Sequence, residues 1–210
     1  MQIISKRFVR LLLVFLTVVG LLPAFAVPQD SATPPQAPLT LYLDSDAYSI
    51  YAILLESQKQ MFGPFFVIRS ETESFPSATP RTIGIKGGRS FHKIWGAVLK
   101  DYAEQLHTPR LLTRSLPTVI PYELVPEQQI RASFLPRKRW DSFYERYPSS
   151  RGGFYWFSAV GFDSQRTHAI VEMNHVCGTA CGGGYPQFFE KIGGKWREVS
   201  VNATTSGWAL

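Results

Sequence analysis

Residues 154–201, FYWFSAVGFDSQRTHAIVEMNHVCGTACGGGYPQFFEKIGGKWREVSV, decide the fold. Phe154 to Phe162, Thr167 to Val176, Tyr185 to Ile192 and Lys195 to Val201 are rich in β-branched and aromatic residues, so four successive strands are expected. Their separators are short: Asp163 to Arg166, a Cys/Gly loop, and Gly193-Gly194. A Gly-Gly pair between two apolar runs is a two-residue hairpin signal. The simplest topology is an antiparallel meander.

Working outward from this run, the residues before it read as helices. Ser45 or Asp46 can cap a first helix whose apolar stripe is Ala47, Ile50, Tyr51, Leu54 and Leu55. Gly63-Pro64 stops it, and Phe65 to Ile68 reads as a short strand. Residues 71–89 are loop-like. A second helix follows Ser90, with Phe91, Ile94, Trp95, Val98 and Tyr102 on its buried side, and ends near His107 because Pro109 disfavours helix before it. Residues 110–136 contain four prolines and only one short strand candidate, Tyr122 to Val125. Trp140, Phe143, Tyr144 and Tyr147 then fall at helical spacing and read as core packing; Pro148 ends that helix. Helices first and strands later give an α+β fold, N-terminal helices packed on a C-terminal four-stranded antiparallel meander.

The N-terminus reads as an export signal. Lys6, Arg7 and Arg10 precede an apolar run from Leu11 to Leu22, and Ala24-Phe25-Ala26 supplies a small-x-small cleavage site. Residues 1–26 are therefore expected to be a signal peptide, residues 27–38 (VPQDSATPPQAP) a Pro-rich linker, and residues 39–210 a single domain. An uncleaved anchor is the competing reading of the leader. The whole chain carries 22 basic and 16 acidic residues, net +6. Without the leader the balance is 19 against 16, or +3, which weakens nucleic-acid binding as a function. No stable membrane insertion is expected once the leader is removed. The expected compartment is periplasmic or extracellular.

Several of these stretches carry a resemblance. Trp140-x-x-Phe143-Tyr144-x-x-Tyr147-Pro148-x-Ser150, Ser158-Ala159-Val160-Gly161-Phe162, Cys177-Gly178-x-x-Cys181-Gly182-Gly183-Gly184 and Lys191-Ile192-Gly193-Gly194-Lys195-Trp196 together resemble a family of uncharacterised bacterial exported proteins. The resemblance implies that residues 40–201 form one unit. It implies no activity.

The most pointed chemistry is His175-Val176-Cys177-Gly178-Thr179-Ala180-Cys181. Export places thiols in an oxidising compartment, where a disulfide between Cys177 and Cys181 is the plainest reading. A loop this short would contribute about 2 kcal/mol. Two other readings stay open. His175, Cys177 and Cys181 supply three soft ligands, but a structural zinc site needs a fourth, so no metal or other cofactor is expected. A reactive thiol would use Cys177 or Cys181 with His175 or His168 as base. Glu172 and Glu190 lie on expected neighbouring strands and could form an acid–base pair. Gly84 to Ser90 leads into the second helix and offers backbone N–H groups to an anion. Arg137-Lys138-Arg139 reads as a solvated helix start.

No catalytic set assembles from these parts. The expected function is a non-enzymatic binding or interaction module of the cell envelope or exterior, its partner an envelope protein or a small-molecule ligand. The alternative is a small secreted enzyme, hydrolytic or thiol-dependent, using Cys177 or Cys181 with His175.

Overall fold

The computed structural model describes residues 38–135 and 139–210. The expected leader, most of the linker, and Arg137 and Lys138 of the basic run lie outside the described residues. Asp44, one residue ahead of the two expected caps, starts the first helix: its Oδ1 accepts the Ala47 N–H at 3.1 Å. Helix α1 (Ser45–Phe62) then buries the expected stripe, with Ala47, Ile50, Tyr51, Leu54 and Leu55 fully sequestered. Gly63 closes it at φ +91°, its N–H returning to the Lys59 carbonyl.

The meander expected from residues 154–201 is corrected. The fold is mixed α/β, with four helices among the described residues and an eight-stranded sheet that is both parallel and antiparallel. Its strands are β2 (Phe66–Arg69), β5 (Tyr122–Val125), β6 (Phe154–Phe157), β7 (Gly161–Phe162), β8 (His168–Gly178), β9 (Cys181–Ile192), β10 (Lys195–Val199) and β12 (Trp208–Ala209). The main path runs β10-β9-β8-β6-β2-β5, with β7 on β8 and β12 on β9. Strands β6, β8, β9 and β10 pair antiparallel, as the sequence implied. Of the two short runs of the front half, β2 adds to β6 in parallel and β5 adds to β2 in parallel. Local pattern cannot show this, because parallel pairing joins residues far apart in the chain. Gly193 and Gly194, at φ +59° and +79°, make the expected β9–β10 turn. The expected first strand of the meander is interrupted: Ser158 to Val160 separate β6 from β7.

Two small ladders complete the strands. β1 (Thr40–Leu41) pairs parallel with β4 (Arg110–Leu111), and β3 (Ile85–Gly87), inside the expected loop, pairs antiparallel with β11 (Ala203–Thr205). The other helices are α2 (Arg89–Gln105), α3 (Glu127–Ala132) and α4 (Trp140–Arg146).

Side chains alternate across the sheet and sort the core into layers. α1 covers one face, packing on Phe66, Ile68, Tyr155, Phe157, Val171 and Phe189. Tyr51 stacks on Phe157 with centroids 4.3 Å apart and donates its hydroxyl to the Ser158 carbonyl at 2.7 Å. The opposite face carries two separate apolar clusters. α2 packs on Ile170 and Phe188 through Phe91, Trp95 and Leu99. α3 and α4 pack on Val67, Val125 and Phe154 through Ile130 and Phe143. The space between these clusters is where polar residues gather.

One polar hub ties the start of α1 to the β9–β10 hairpin. Asp46 accepts from Lys191 Nζ at 2.8 Å, Trp196 Nε1 at 2.9 Å and Arg166 Nε at 3.0 Å. Burial pushes its carboxyl up, but these three donors outweigh burial and hold it at about 2. Arg166 also reaches Asp44 at 2.6 Å, so one guanidinium spans both carboxylates of the helix start.

Candidate functional site

The expected disulfide is present. Cys177 and Cys181 are bonded across the tip of the β8–β9 hairpin, with Cα atoms 5.1 Å apart. The two sulfurs are spent on each other, so neither is a thiolate for catalysis or for a metal. Among the described residues, no group of three or more His, Cys, Asp or Glu side chains is arranged to hold a metal ion. The Gly-rich stretch after Cys181 is strand rather than loop, since Gly182, Gly183 and Gly184 lie within β9. Its glycines leave room for the C-terminal strand. A Cβ on Gly184 would stand 1.7 Å from the Asn174 amide oxygen and 3.1 Å from the Trp208 indole nitrogen.

His175 sits on the α1 side of the sheet. Its ring lies 4.6 Å from Phe62 and 5.5 Å from Tyr155, and burial holds its pKa below the usual histidine value. Glu172 is three residues away on the same strand and therefore on the other face. Glu190 pairs in register with His168, whereas Glu172 pairs with Pro186, so the two carboxylates stand four positions apart along the ladder. His168 is held by Asp163, Nδ1 to Oδ2 at 2.9 Å, with Glu190 at 3.8 Å from its other nitrogen. The candidate residues Glu172, His175 and Glu190 thus belong to three separate places. Gly84 to Ser90 divides between β3 and the start of α2, with no side-chain cap at the helix.

The site that does assemble surrounds Glu172, between the two apolar clusters on the α2–α4 face. It lies at the carboxyl ends of the parallel strands β2, β5 and β6, the place where α/β sheets receive ligands. β2 ends on Arg69, whose side chain is 13% exposed and whose guanidinium lies 5.5 Å from the Trp156 ring. Arg69 pairs with Glu73 at 3.3 Å and Glu127 at 3.8 Å, and donates Nε–H to the Glu71 carbonyl at 2.9 Å. The carboxylate of Glu71 accepts the Glu127 N–H at 3.0 Å, which fixes the start of α3 against β2. A deeply set guanidinium is therefore clamped from two segments and presented beside an indole.

Trp156, on β6, is stacked between neighbours: Phe154 at 5.6 Å on its own strand and Trp208 at 5.9 Å from the C-terminal strand. Its Nε1 is buried and donates to no protein atom. The Trp208 indole donates to Asn174 Oδ1 at 2.6 Å. Asn174 and the buried phenol of Tyr102 from α2 are polar neighbours of the Glu172 carboxyl. Burial pushes the Glu172 carboxyl above the usual carboxylate range; Asn174 and Tyr102 offset part of that rise, and the nearby Glu73 charge adds to it. The Glu172 backbone N–H is satisfied by Ser158 Oγ at 2.8 Å. Here a carboxyl whose neutral form burial favours, an ion-paired carboxylate, an amide and two indoles gather on one face of the sheet.

Sequence reasoning found Glu172 here and missed Arg69, Trp156, Asn174 and Trp208. One signal was available: Glu172 and Asn174 alternate with buried apolar residues on β8, which puts two polar groups on one face of a central strand. The chain matches no family model, no curated protein and no solved structure. Among the described residues no helix is long and apolar enough to cross a membrane.

Proposed function

We propose that this chain is an exported, non-enzymatic binding module of the bacterial cell envelope or exterior, and that it takes a small polar ligand at the Glu172–Trp156 surface. The leader pattern of residues 1–26 supports export, and the resemblance to exported bacterial proteins agrees with it. The observation that carries the binding reading is Glu172: a carboxyl kept largely from water, at the end of a parallel strand set, beside a buried indole N–H that has no protein acceptor. Buried polar groups are ordinarily paired, and perturbed carboxyls concentrate at functional sites. Polar groups flank the two indoles, while Arg69 is already neutralised by Glu73 and Glu127. Such a surface suits a ligand rich in hydroxyl or amide groups, bound edge-on to the polar rim and flat against an indole.

A thermal-shift panel of neutral mono- and disaccharides, polyols and small amides tests this. The expected result is stabilisation by at least one class, abolished in Trp208→Ala and in Glu172→Gln. Stabilisation that survives both substitutions would move the binding site elsewhere.

One observation favours a second reading. Glu172, with its raised carboxyl, and Glu73, ion-paired to Arg69, differ in environment in the way a general acid and a charged partner differ. In that reading the surface is hydrolytic and Glu172 donates the proton. Product formation from a bound glycoside or amide, lost in Glu172→Gln while binding is kept, would distinguish it. A thiol-dependent enzyme would have no free thiol to use, because both cysteines are in the disulfide.

A further inference from the structure

A cavity of about 490 Å3 lies between the outer face of α2, the start of α1 and the Asp163–Arg166 turn. Its floor is aromatic. Tyr42 is 3% exposed and its hydroxyl accepts the Val160 N–H at 3.0 Å; burial pushes that phenol up to about 12, so it stays neutral. Phe162 forms the rest of the floor. A guanidinium lies over each ring, Arg166 at 3.9 Å from the Phe162 centroid and Arg110 at 5.2 Å from the Tyr42 centroid.

Charges of both signs line this cavity, and most are already spent. Arg166 is committed to Asp44 and Asp46. Asp101 accepts the Phe162 N–H at 2.7 Å and the Gln105 amide at 3.2 Å. Asp163 is taken up by Thr167 and His168. Three charged groups remain. Arg110 donates to Gln105 and stacks on Tyr42, and among the described residues it has no carboxylate within ion-pair distance. Lys100 and Glu104, one turn apart on α2, are exposed on the same wall.

From this arrangement we propose that the cavity is a binding site for a small zwitterion, a free α-amino acid or a dipeptide. Arg110 is fixed by its ring and its amide partner, leaving the rest of a planar donor fork to meet a carboxylate. Lys100 adds a second positive charge to the lining. Glu104 supplies the counter-charge for an ammonium group. A polyanion such as a nucleotide would meet Glu104, Asp44, Asp101 and Asp163 at the same time as the cations, and a simple amine would meet Arg110 and Lys100. The zwitterion is the ligand whose two charges match the two unspent signs. This site is independent of the Trp156 surface, and either can fail without the other.

The test is titration of the full exported chain, followed by NMR and calorimetry. The probes are single proteinogenic amino acids and the dipeptides Gly-Gly and Ala-Glu, with acetate, methylamine and N-acetyl amino acids as controls. At least one zwitterion should bind in the micromolar to millimolar range and shift the amides of Gln105, Arg110 and Ser164. Arg110→Gln should weaken it about tenfold or more, with Arg110→Lys partly restoring it. N-acetylation of the ligand and Glu104→Gln should weaken it to a similar extent and not additively. Near-ultraviolet circular dichroism confirms that each variant folds; should Arg110→Gln unfold, Glu104→Gln with the N-acetyl controls decides alone. Acetate or an N-acetyl amino acid binding as well as the parent would overturn the zwitterion reading in favour of a plain anion site. No shift at these amides with any zwitterion at millimolar concentration would overturn the site altogether.

Discussion

Glu172 and His175, three residues apart on one strand, lie on opposite faces of the sheet. Glu172 meets Tyr102 and Asn174 on the side of α2, while His175 packs against Phe62 and Tyr155 on the side of α1. No single pocket can join them, so any chemistry at Glu172 must come from the partners around it. That separation makes Glu172 the residue to interrogate.

Glu172→Gln keeps the shape and removes the charge. The native carboxyl has a raised pKa, so its neutral form is the one the fold favours. For such a group the stabilising contribution is complete below its unfolded pKa and is lost as pH rises through the folded value. The substitution should therefore raise the urea midpoint at pH 7 and leave it nearly unchanged near pH 4, where both proteins are neutral at this position. A lower midpoint at pH 7 would mean that Asn174 and Tyr102 more than compensate for burial. A residue that costs stability fits a site held for binding.

Asp46→Asn should act in the opposite sense. The carboxyl is held at about 2, below its ordinary value of 3.8, and the side chain is 22% exposed. The stabilisation is present above about pH 4 and is lost as pH falls towards 2. A shift of this size corresponds to about 2 kcal/mol at neutral pH. Asp46→Asn should lose that amount in urea unfolding at pH 7 and converge with the parent near pH 2. The Trp196 fluorescence should change with it, since its indole donates to Asp46.

Gly184→Ala should disturb the candidate site without touching Glu172. The added methyl collides with the amide of Asn174 and crowds the indole of Trp208. Forced packing of this kind costs about 1–3 kcal/mol. The expected signature is a shifted Trp208 indole N–H resonance and weaker ligand binding, with the remainder of the spectrum retained. An unchanged indole resonance would show that the 2.6 Å contact to Asn174 does not order Trp208.

Cys177→Ser with Cys181→Ser should be mild. The loop closed is short, and its removal should cost about 2 kcal/mol by chain entropy. Tyr144 donates its hydroxyl to the Cys177 carbonyl at 2.9 Å, so α4 still anchors the hairpin tip. The double variant should remain folded, with faster amide exchange confined to residues near 176–184. Loss of the whole domain would contradict a local role.

The legible parts of the sequence were those encoded by neighbours in the chain. The α1 stripe, the aromatic helix from Trp140 and the Gly193-Gly194 turn each declare themselves within a dozen residues, as does the α2 stripe except for Ile94, which was expected on the buried side and is 52% exposed while Leu99 is buried instead. The strands were visible too, but their partners were not. Val67 pairs with Glu123 on one side and Phe154 on the other, and nothing near Val67 specifies either. For the same reason the site was only partly readable. Glu172 stood out as a carboxyl on a strand, whereas Arg69, Trp156 and Trp208 come from segments that meet only through the parallel half of the sheet and the C-terminal strand. The glycines after Cys181 were legible as a signal and misread as a loop, because their reason is an approaching backbone from residues 207–209.

The most direct test of the binding account is the pair of indole N–H resonances of Trp156 and Trp208, followed while hydroxyl- and amide-rich ligands are titrated into the full chain. Trp156 Nε1 is a buried donor without a protein acceptor, and Trp208 Nε1 is bonded to Asn174. The account expects one ligand class to move both resonances saturably, with the larger shift at Trp156, and expects Glu172→Gln to weaken that binding. Saturable binding that leaves both indole resonances in place, or no binding by any member of these classes, would contradict it.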